Sequence, residues 1–508
     1  MPGHRAPSLL LNDEQKMLSK TAHEFIRERA PAARIRSFRD SKDELGFSRE
    51  LWNDMAELGW LGLQIPEEYD GLGLGFFDLC VVLEQSGREL MPEPFVSTLL
   101  LGTQALLLGG TESQKRTLLP GVVAGDKILA LGYEEAGSNG DFTRVVTAAK
   151  RSGDRFELSG AKLQVLDAHV ADRIIVSART SDEACTLFLV DPAQSGVSIE
   201  RQHRIDGLSS AIVSLDSVAV DAESIVGELD GGVQLLAAVF ERAAVGSAAQ
   251  MLGGAEQAFA DTVDYIKERE QFGVPIGSFQ ALQHRAVSVF TELALTRSVV
   301  LAAARAIDDS AEDVPRLSVL ANAMASDTFL HAAKEGIQMH GGIGVTDEHD
   351  IGLYFKRTYG LNPLFGDAKH HVAAIGSDED AVLRTKRAGA PDVFEDLPTV
   401  VFLAGRPFLH DARHVVVEPT LDAEDAPTSP EIDGGELPVV MRLHVHVSVV
   451  DVEESGRHAF RCGLCHDATT HHRAPHDLAL SRRTKPRERG IALPAPSERP
   501  TRSVRSVA

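Results

Sequence analysis

An arginine and two phenylalanines surround a glycine- and proline-containing turn between two long stretches of helical periodicity. The segment reads Tyr265-Ile266-Lys267-Glu268-Arg269-Glu270-Gln271-Phe272-Gly273-Val274-Pro275-Ile276-Gly277-Ser278-Phe279-Gln280. A guanidinium at a helix end offers a rigid fork of donors suited to a diphosphate, and the glycines let backbone approach a ligand closely. These features alone fit a diphosphate site and an ordinary exposed turn equally well.

Two further segments carry small residues where a ligand could approach the backbone. One reads Gln338-Met339-His340-Gly341-Gly342-Ile343-Gly344, and the other Leu131-Gly132-Tyr133-Glu134-Glu135-Ala136-Gly137-Ser138-Asn139. A Gly-Gly-x-Gly run by itself usually ends a helix or forms a turn. Each segment therefore gains meaning only from its position in the chain.

The elements that must position these segments divide the chain into four parts. Helical periodicity dominates residues 1–128, and short β-rich runs separated by turns fill residues 129–231. Long helical segments return over residues 232–379, which indicates a helical bundle. Residues 380–508 hold 12 of the 23 prolines and little periodicity, so we expect a poorly ordered extension.

The segment from Tyr265 to Gln280 resembles the signature of the acyl-CoA dehydrogenase family, and the similarity extends over roughly residues 10–378. The resemblance implies a mainly α fold with a central β domain: an N-terminal helical domain, an antiparallel β-barrel and a C-terminal four-helix bundle. It also implies FAD as the cofactor, with Arg269 and Phe272 binding the FAD of a neighbouring subunit. The other cofactor-binding residues implied are Ser138, Phe279, Gln280, Gln338, Gly341 and Gly342.

The flavin-ring loop departs from the usual pattern of this family. Glu134 stands where threonine is usual, whereas Glu135 keeps the glutamate. Gly160-Ala161-Lys162 fits the family, but Gln164-Val165-Leu166 replaces a Trp-Ile-Thr pattern. A hydroxyl near the flavin N5 is therefore missing from that place, although backbone amides can still bind the ring.

The family reaction, desaturation of an acyl-CoA thioester, needs a carboxylate to take the α-proton while the β-hydride goes to the flavin. In many members this glutamate follows the second glycine segment, where Gly366 stands here with Asp367 beside it. Other members carry the base on the long helix before the arginine; Glu241 lies near that place, but a gap-free count gives Ala243. Asp367 could instead cap a helix and Glu241 could be solvated. Arg242 is the candidate substrate-binding residue.

Partners follow from the same resemblance. We expect an acyl-CoA substrate, an electron-transfer flavoprotein as electron acceptor, and a homo- or hetero-oligomer. Some bacterial members form heteromers in which one subunit type lacks the base, and without a secure glutamate this chain could be that noncatalytic subunit. Straight-chain, branched-chain and steroid acyl groups all remain open.

The net charge and the positions of the cysteines limit the other functional classes that are possible. A formal net charge of −23 argues against nucleic acid as a partner. Neither a membrane-spanning apolar run nor a signal-peptide core is visible, so we expect a cytoplasmic protein. Cys80 and Cys185 resemble buried thiols. The Cys462-Gly463-Leu464-Cys465-His466 spacing fits haem attachment or zinc, but chance in a histidine-rich tail is favoured, so no metal is expected.

Overall fold

The computed structural model describes residues 10–366, except 139, 182 and 183, together with the backbone of 414–420 and 444–450. Contacts divide the chain into two compact units, residues 1–395 and 396–508. In the second unit, strands His414–Thr420 and His444–Val450 pair antiparallel. The rest of the expected poorly ordered extension, including Cys462 and Cys465, lies outside the described residues.

Six α-helices precede the first strand. Asn12 caps the first of them through a capping box. The Asn12 side chain accepts from the backbone amide of Gln15, and the Gln15 side chain accepts from the backbone amide of Asn12. A π-helix at Phe95–Gly102 leads directly into the fifth. The helices are α1 (Asp13–Arg29), α2 (Arg34–Ser41), α3 (Arg49–Glu57), α4 (Phe76–Arg88), α5 (Thr103–Gly109) and α6 (Glu112–Val123).

Eight strands follow, and they form one open sheet. They are β1 (Leu129–Gly132), β2 (Ala148–Ser152), β3 (Arg155–Leu166), β4 (Arg173–Arg179), β5 (Cys185–Val190), β6 (Val197–His203), β7 (Ser209–Asp221) and β8 (Ile225–Val226). Their order is β6-β7-β3-β2-β4-β5-β8, with β1 paired to β4. The short runs expected from the sequence all fall on or beside these strands.

The prediction of a closed antiparallel β-barrel is wrong, because the sheet is open. Among the described residues, the outermost strands β6 and β8 pair only with β7 and β5, so no hydrogen bonds join the two edges of the sheet. The pairing is also mixed, because β1 and β2 each run parallel to β4. The two-residue β8 is too short to provide an edge on which β6 could close the sheet.

Up to residue 366, the C-terminal helical part contains four helices: α7 (Gly232–Glu268), α8 (Gln280–Asp308), α9 (Val314–His340) and α10 (Ile351–Leu361). The short strands β9 (Glu270–Gln271) and β10 (Val274–Pro275) form a hairpin between α7 and α8. Both α7 and α8 are long and apolar enough to cross a membrane. Length and composition do not distinguish such a span from a core helix, and α7 is mostly buried here.

A buried arginine joins the three parts. Arg357 on α10 donates from Nε to the carbonyl oxygen of Asp206 at 3.0 Å, and from Nη2 to that of Leu90 at 2.7 Å. Burial lowers the pKa of this guanidinium to about 10. Since Leu90 follows α4 and Asp206 lies between β6 and β7, one side chain fixes the helical parts against the sheet.

Candidate active site

The structure brings the ends of α7 and α9 together. The rings of Tyr265 and His340 stack with centroids 4.3 Å apart and an interplanar angle of 28°. The Tyr265 hydroxyl also donates to the carbonyl oxygen of His340 at 3.3 Å. The arginine segment and the glycine segment are therefore neighbours in space, although about 75 residues separate them in the chain.

The turn after α7 is exposed and strained. The Phe272 side chain is 93% exposed, and its φ of 59° is a conformation that large side chains rarely adopt. Arg269 is also exposed and has no ion-pair partner among the described residues. Phe279, 38% exposed, contacts Phe272 at 6.1 Å between centroids, and Gln280 is exposed beside it. This turn therefore presents a guanidinium and aromatic rings at the surface of the chain.

The second segment offers the open backbone that a diphosphate needs. A Cβ atom built on Gly341 or Gly342 would meet nothing within 4 Å, and Gly341 has a φ of +65°. Gln338 is exposed, and the buried Nε2 of His340 has no hydrogen-bond partner in the described structure. Open space beside Gly341 and Gly342, the exposed Arg269 guanidinium and the His340 imidazole nitrogen lie at adjacent helix ends and fit the diphosphate part of a dinucleotide.

The loop after β1 is held by its own side chains. The Ser138 hydroxyl donates to Glu134 Oε1 at 2.6 Å, and the Gly140 amide donates to the same oxygen at 3.2 Å. The backbone carbonyl of Glu134 accepts from the Leu163 amide at 2.8 Å, where the pairing of β3 with β7 is irregular. Ser138, expected to contact the cofactor, thus uses its hydroxyl to shape the loop.

Glu135 anchors the same loop to the sheet. Its carboxylate accepts from the Thr147 amide at 3.0 Å and from the ammonium of Lys162, which is fully buried. Burial disfavours the charged carboxylate, but the ammonium and the amides outweigh burial and lower the pKa of Glu135. This glutamate, which the chain shares with the family pattern, therefore has a structural role.

Four aromatic rings converge between this loop and α7. Phe240 is the centre, with centroids 4.6 Å from Tyr133, 5.0 Å from Phe142 and 5.6 Å from Phe365. We call these four residues the aromatic cluster. No periodic pattern along the chain predicts this cluster, because the rings come from four separate segments.

Both positions considered for the catalytic base directly follow a residue of the aromatic cluster. Glu241 follows Phe240, and Gly366 follows Phe365, so the two positions lie near each other in space. The Glu241 carboxylate is half-buried and has no ion pair or hydrogen bond within residues 10–366. Burial raises its pKa, and the neighbouring Arg242 partly offsets this effect. Asp367 lies outside the described residues.

Helix α7 is α-helical throughout, so it contains no irregularity that would rotate Glu241 into the place of Ala243. Ala243 is fully buried. Arg242 donates to the carbonyl oxygen of Ala238 on its own helix at 3.0 Å, and burial lowers its pKa. Its guanidinium therefore retains donors for a ligand, because the fork makes one bond here.

The two groups of candidate residues lie far apart within one chain. The aromatic cluster contacts α7 at Phe240, whereas the stacked pair contacts it at Tyr265, 25 residues later. At about 1.5 Å per residue, roughly 37 Å of helix separates them. The structure therefore joins the arginine segment to the glycine segment, but neither to the loop that contains Ser138.

A buried carboxyl that no sequence pattern indicated follows the end of β3. Asp167 has a φ of 53° and accepts from the Ser97 hydroxyl at 2.6 Å. Burial raises its pKa to about 7, against the lowering effect of Ser97 and two nearby arginines. The sequence feature that could have indicated Asp167 is its position directly after Gln164-Val165-Leu166, because that segment departs from the family pattern.

Asp167→Asn should therefore make stability less dependent on pH. Between pH 4 and 7 the unfolded chain ionises this carboxyl while the folded chain does not, so folding loses stability as pH rises. We expect the variant to match the parent near pH 4 and to exceed it at pH 8 by up to roughly 4 kcal/mol. Urea unfolding at both pH values measures this. Asp264→Asn, an exposed change, is the control, and equal pH profiles of Asp167→Asn and the parent would refute the assignment.

Family models match almost all of the first 377 residues. They are the acyl-CoA dehydrogenase N-terminal domain over residues 12–126, the middle domain over 130–218 and the C-terminal domain over 230–377. The chain is 30% identical to acyl-CoA dehydrogenase IpdE2 of Mycolicibacterium smegmatis, with 72% of this chain and 99% of that protein covered.

Two further similarities agree. Subunit CarC of the caffeyl-CoA reductase-Etf complex of Acetobacterium woodii is 26% identical, covering 68% of this chain and 93% of that protein. The solved butyryl-CoA dehydrogenase of Megasphaera elsdenii is 25% identical with a TM-score of 0.69, covering 74% of this chain and all of that one. An N-terminal helical part, a middle β part and a C-terminal helical part define this class of oxidoreductase. The chain belongs to the acyl-CoA dehydrogenase family.

Proposed function

We propose that this protein binds FAD and catalyses the α,β-desaturation of an acyl-CoA thioester, passing the electrons to an electron-transfer flavoprotein. The match of all three acyl-CoA dehydrogenase family models supports the reaction, and the separation of the two residue groups along α7 supports a cofactor shared between subunits. One FAD lying on the Ser138 loop cannot also reach Arg269 of the same chain across that distance. A cofactor shared between two subunits satisfies both groups.

In this arrangement each subunit supplies one half of two sites. The loop from Tyr133 to Ser138 binds the flavin ring, and Arg269, Phe272, Phe279 and Gln280 reach the FAD of a neighbour. Gln338, Gly341 and Gly342 complete the dinucleotide site with exposed backbone. When bound, the flavin supplies the acceptor for the β-hydride.

Exposed apolar side chains support an oligomer. Val287 and Phe290 on α8 are each 60% exposed, and Val345 beyond the glycine segment is 76% exposed. A monomer would leave these apolar side chains in water, and Val287 lies beside Pro275 and Ser278 of the turn that exposes Phe272. Because Val287 lies beside the turn proposed to contact FAD, a second subunit is the occupant that we propose.

Glu241 is the base that the described residues support best. Its carboxylate is half-buried and unpaired, its pKa is raised, and it lies beside the aromatic cluster. Arg242 is proposed to bind the substrate, since most of its donors are free. Asp367 remains the second candidate for the base.

Substrate bleaching of the flavin separates the candidates. We expect Glu241→Gln to retain the flavin absorbance but to lose at least 100-fold in the rate of anaerobic bleaching by an acyl-CoA. Asp367→Asn tests the other position, and Glu24→Gln, at an exposed position of α1, is the matched control. Protein without a flavin spectrum, both alone and after co-expression with homologues, would refute the proposed function.

A noncatalytic FAD-binding subunit of a heteromer is the second candidate function. It is favoured by Ala243 and Gly366, which place no carboxylate at the two positions where the family carries its base. Full bleaching in both the Glu241 and Asp367 variants would contradict both proposed bases. Bleaching only in the presence of a second dehydrogenase subunit would favour the noncatalytic role.

The names of relatives support the proposed electron acceptor and the proposed substrate. The relative CarC is named as part of a complex with Etf, which supports an electron-transfer flavoprotein as partner here. Two relatives named acyl-CoA dehydrogenase and butyryl-CoA dehydrogenase support an acyl-CoA substrate. A cytoplasmic location stays a prediction.

A further inference from the structure

We infer that Glu134 lowers the reduction potential of the flavin. The inference rests on the proposed function, because it concerns the FAD that the loop after β1 is proposed to hold. Glu134 lies at the position where threonine is usual in the family. The substitution replaces a neutral hydroxyl with a negative charge in the loop proposed to contact the flavin ring.

The placement of Glu134 is fixed from three sides. Its backbone carbonyl binds the Leu163 amide of β3, and the ring of its neighbour Tyr133 packs against Phe240 of α7. Oε1 accepts from the Ser138 hydroxyl at 2.6 Å and from the Gly140 amide at 3.2 Å. The carboxylate therefore has a defined orientation within the loop.

The buried ammonium of Lys162 attracts this carboxylate electrostatically but forms its ion pair with Glu135. Glu134 has no ion pair in the part of the chain that the structure describes, and Oε2 makes no hydrogen bond there. The nearby Lys162 bonds instead to Glu135 and to the Ser177 hydroxyl. A negative charge fixed in a half-buried loop acts on its surroundings more strongly than one in water.

The effect on the flavin follows from electrostatics. Two-electron reduction makes the flavin ring more negative, and a neighbouring carboxylate opposes that change. The reduced form then becomes less stable relative to the oxidised form, and the flavin becomes a stronger reductant. A loop with threonine at this position exerts no such effect.

Glu134→Gln is the test, because glutamine keeps both acceptor bonds to Oε1 and removes only the charge. We expect at least a tenfold shift of the equilibrium towards reduced flavin, which is about 30 mV more positive for a two-electron couple. Spectroelectrochemical titration of the purified holoprotein measures the potential without an acyl-CoA. Glu134→Thr, carrying the usual family residue, should shift it in the same direction.

The exposed Glu157 on β3 provides the matched control, since Glu157→Gln changes net charge equally outside the loop. Equal potentials in the parent, Glu134→Gln and Glu157→Gln would overturn the inference while leaving the proposed function intact. Loss of flavin from Glu134→Gln alone would also overturn it, by making the carboxylate a binding group. A parent protein without any flavin would instead refute the proposed function.

Discussion

Arg269→Ala is expected to purify with less than a tenth of the flavin bound by the parent protein. The guanidinium has no ion-pair partner within the described residues of its own chain, and it lies on an exposed turn. Its proposed partner is the diphosphate of a neighbour's FAD, and charged hydrogen bonds of this kind contribute about 1.5–3 kcal/mol each. Losing a two-pronged contact should therefore weaken flavin binding by more than tenfold.

The flavin-to-protein absorbance ratio after gel filtration measures the result. Arg269→Lys should recover part of the flavin, because an ammonium keeps the charge but lacks the planar fork. Lys267→Ala removes a positive charge from the same helix end, where Lys267 is exposed and paired with Asp264, and should retain full flavin. Retention of full flavin by Arg269→Ala would contradict the shared-cofactor arrangement.

Much of the element order could be predicted because local periodicity encodes it. The long helical segments predicted to return at residue 232 correspond to Gly232–Glu268 and Gln280–Asp308. Closure of the sheet could not be predicted in this way. It depends on whether two edge strands meet, and alternation along a strand contains no information about its neighbours.

In the candidate site, too, locally encoded features could be predicted and features that depend on tertiary packing could not. The segment containing Arg269 was recognisable because its contacts are with a ligand and its residue types are local. The aromatic cluster was not, since Tyr133 and Phe240 meet only through the packing of the sheet on α7. Asp167 was missed for a related reason: its raised pKa comes from burial, which sequence spacing does not show.

Gly253→Ala is expected to lower the free energy of unfolding by about 3 kcal/mol or more, or to prevent soluble expression. Helices α4 and α7 cross here in backbone contact. A Cβ on Gly253 would lie under 3.0 Å from the carbonyl oxygen of Glu84, and one on Gly87 would lie equally close to that of Gln250. Backbone cannot rotate away as a flexible side chain can, so the two helices must separate.

Separation would also break the buried hydrogen bond from Gln250 Nε2 to Ser86 Oγ, which is 3.1 Å long. Gly352→Ala is the matched control, because it changes a helical glycine of α10 whose Cβ would meet only the Thr346 carbonyl oxygen, at 3.8 Å. That variant should be unchanged or more stable by up to about 1 kcal/mol, from helix propensity alone. Chemical denaturation of both variants decides the matter. If Gly253→Ala unfolds at the same denaturant concentration as Gly352→Ala, the close helix crossing does not limit stability.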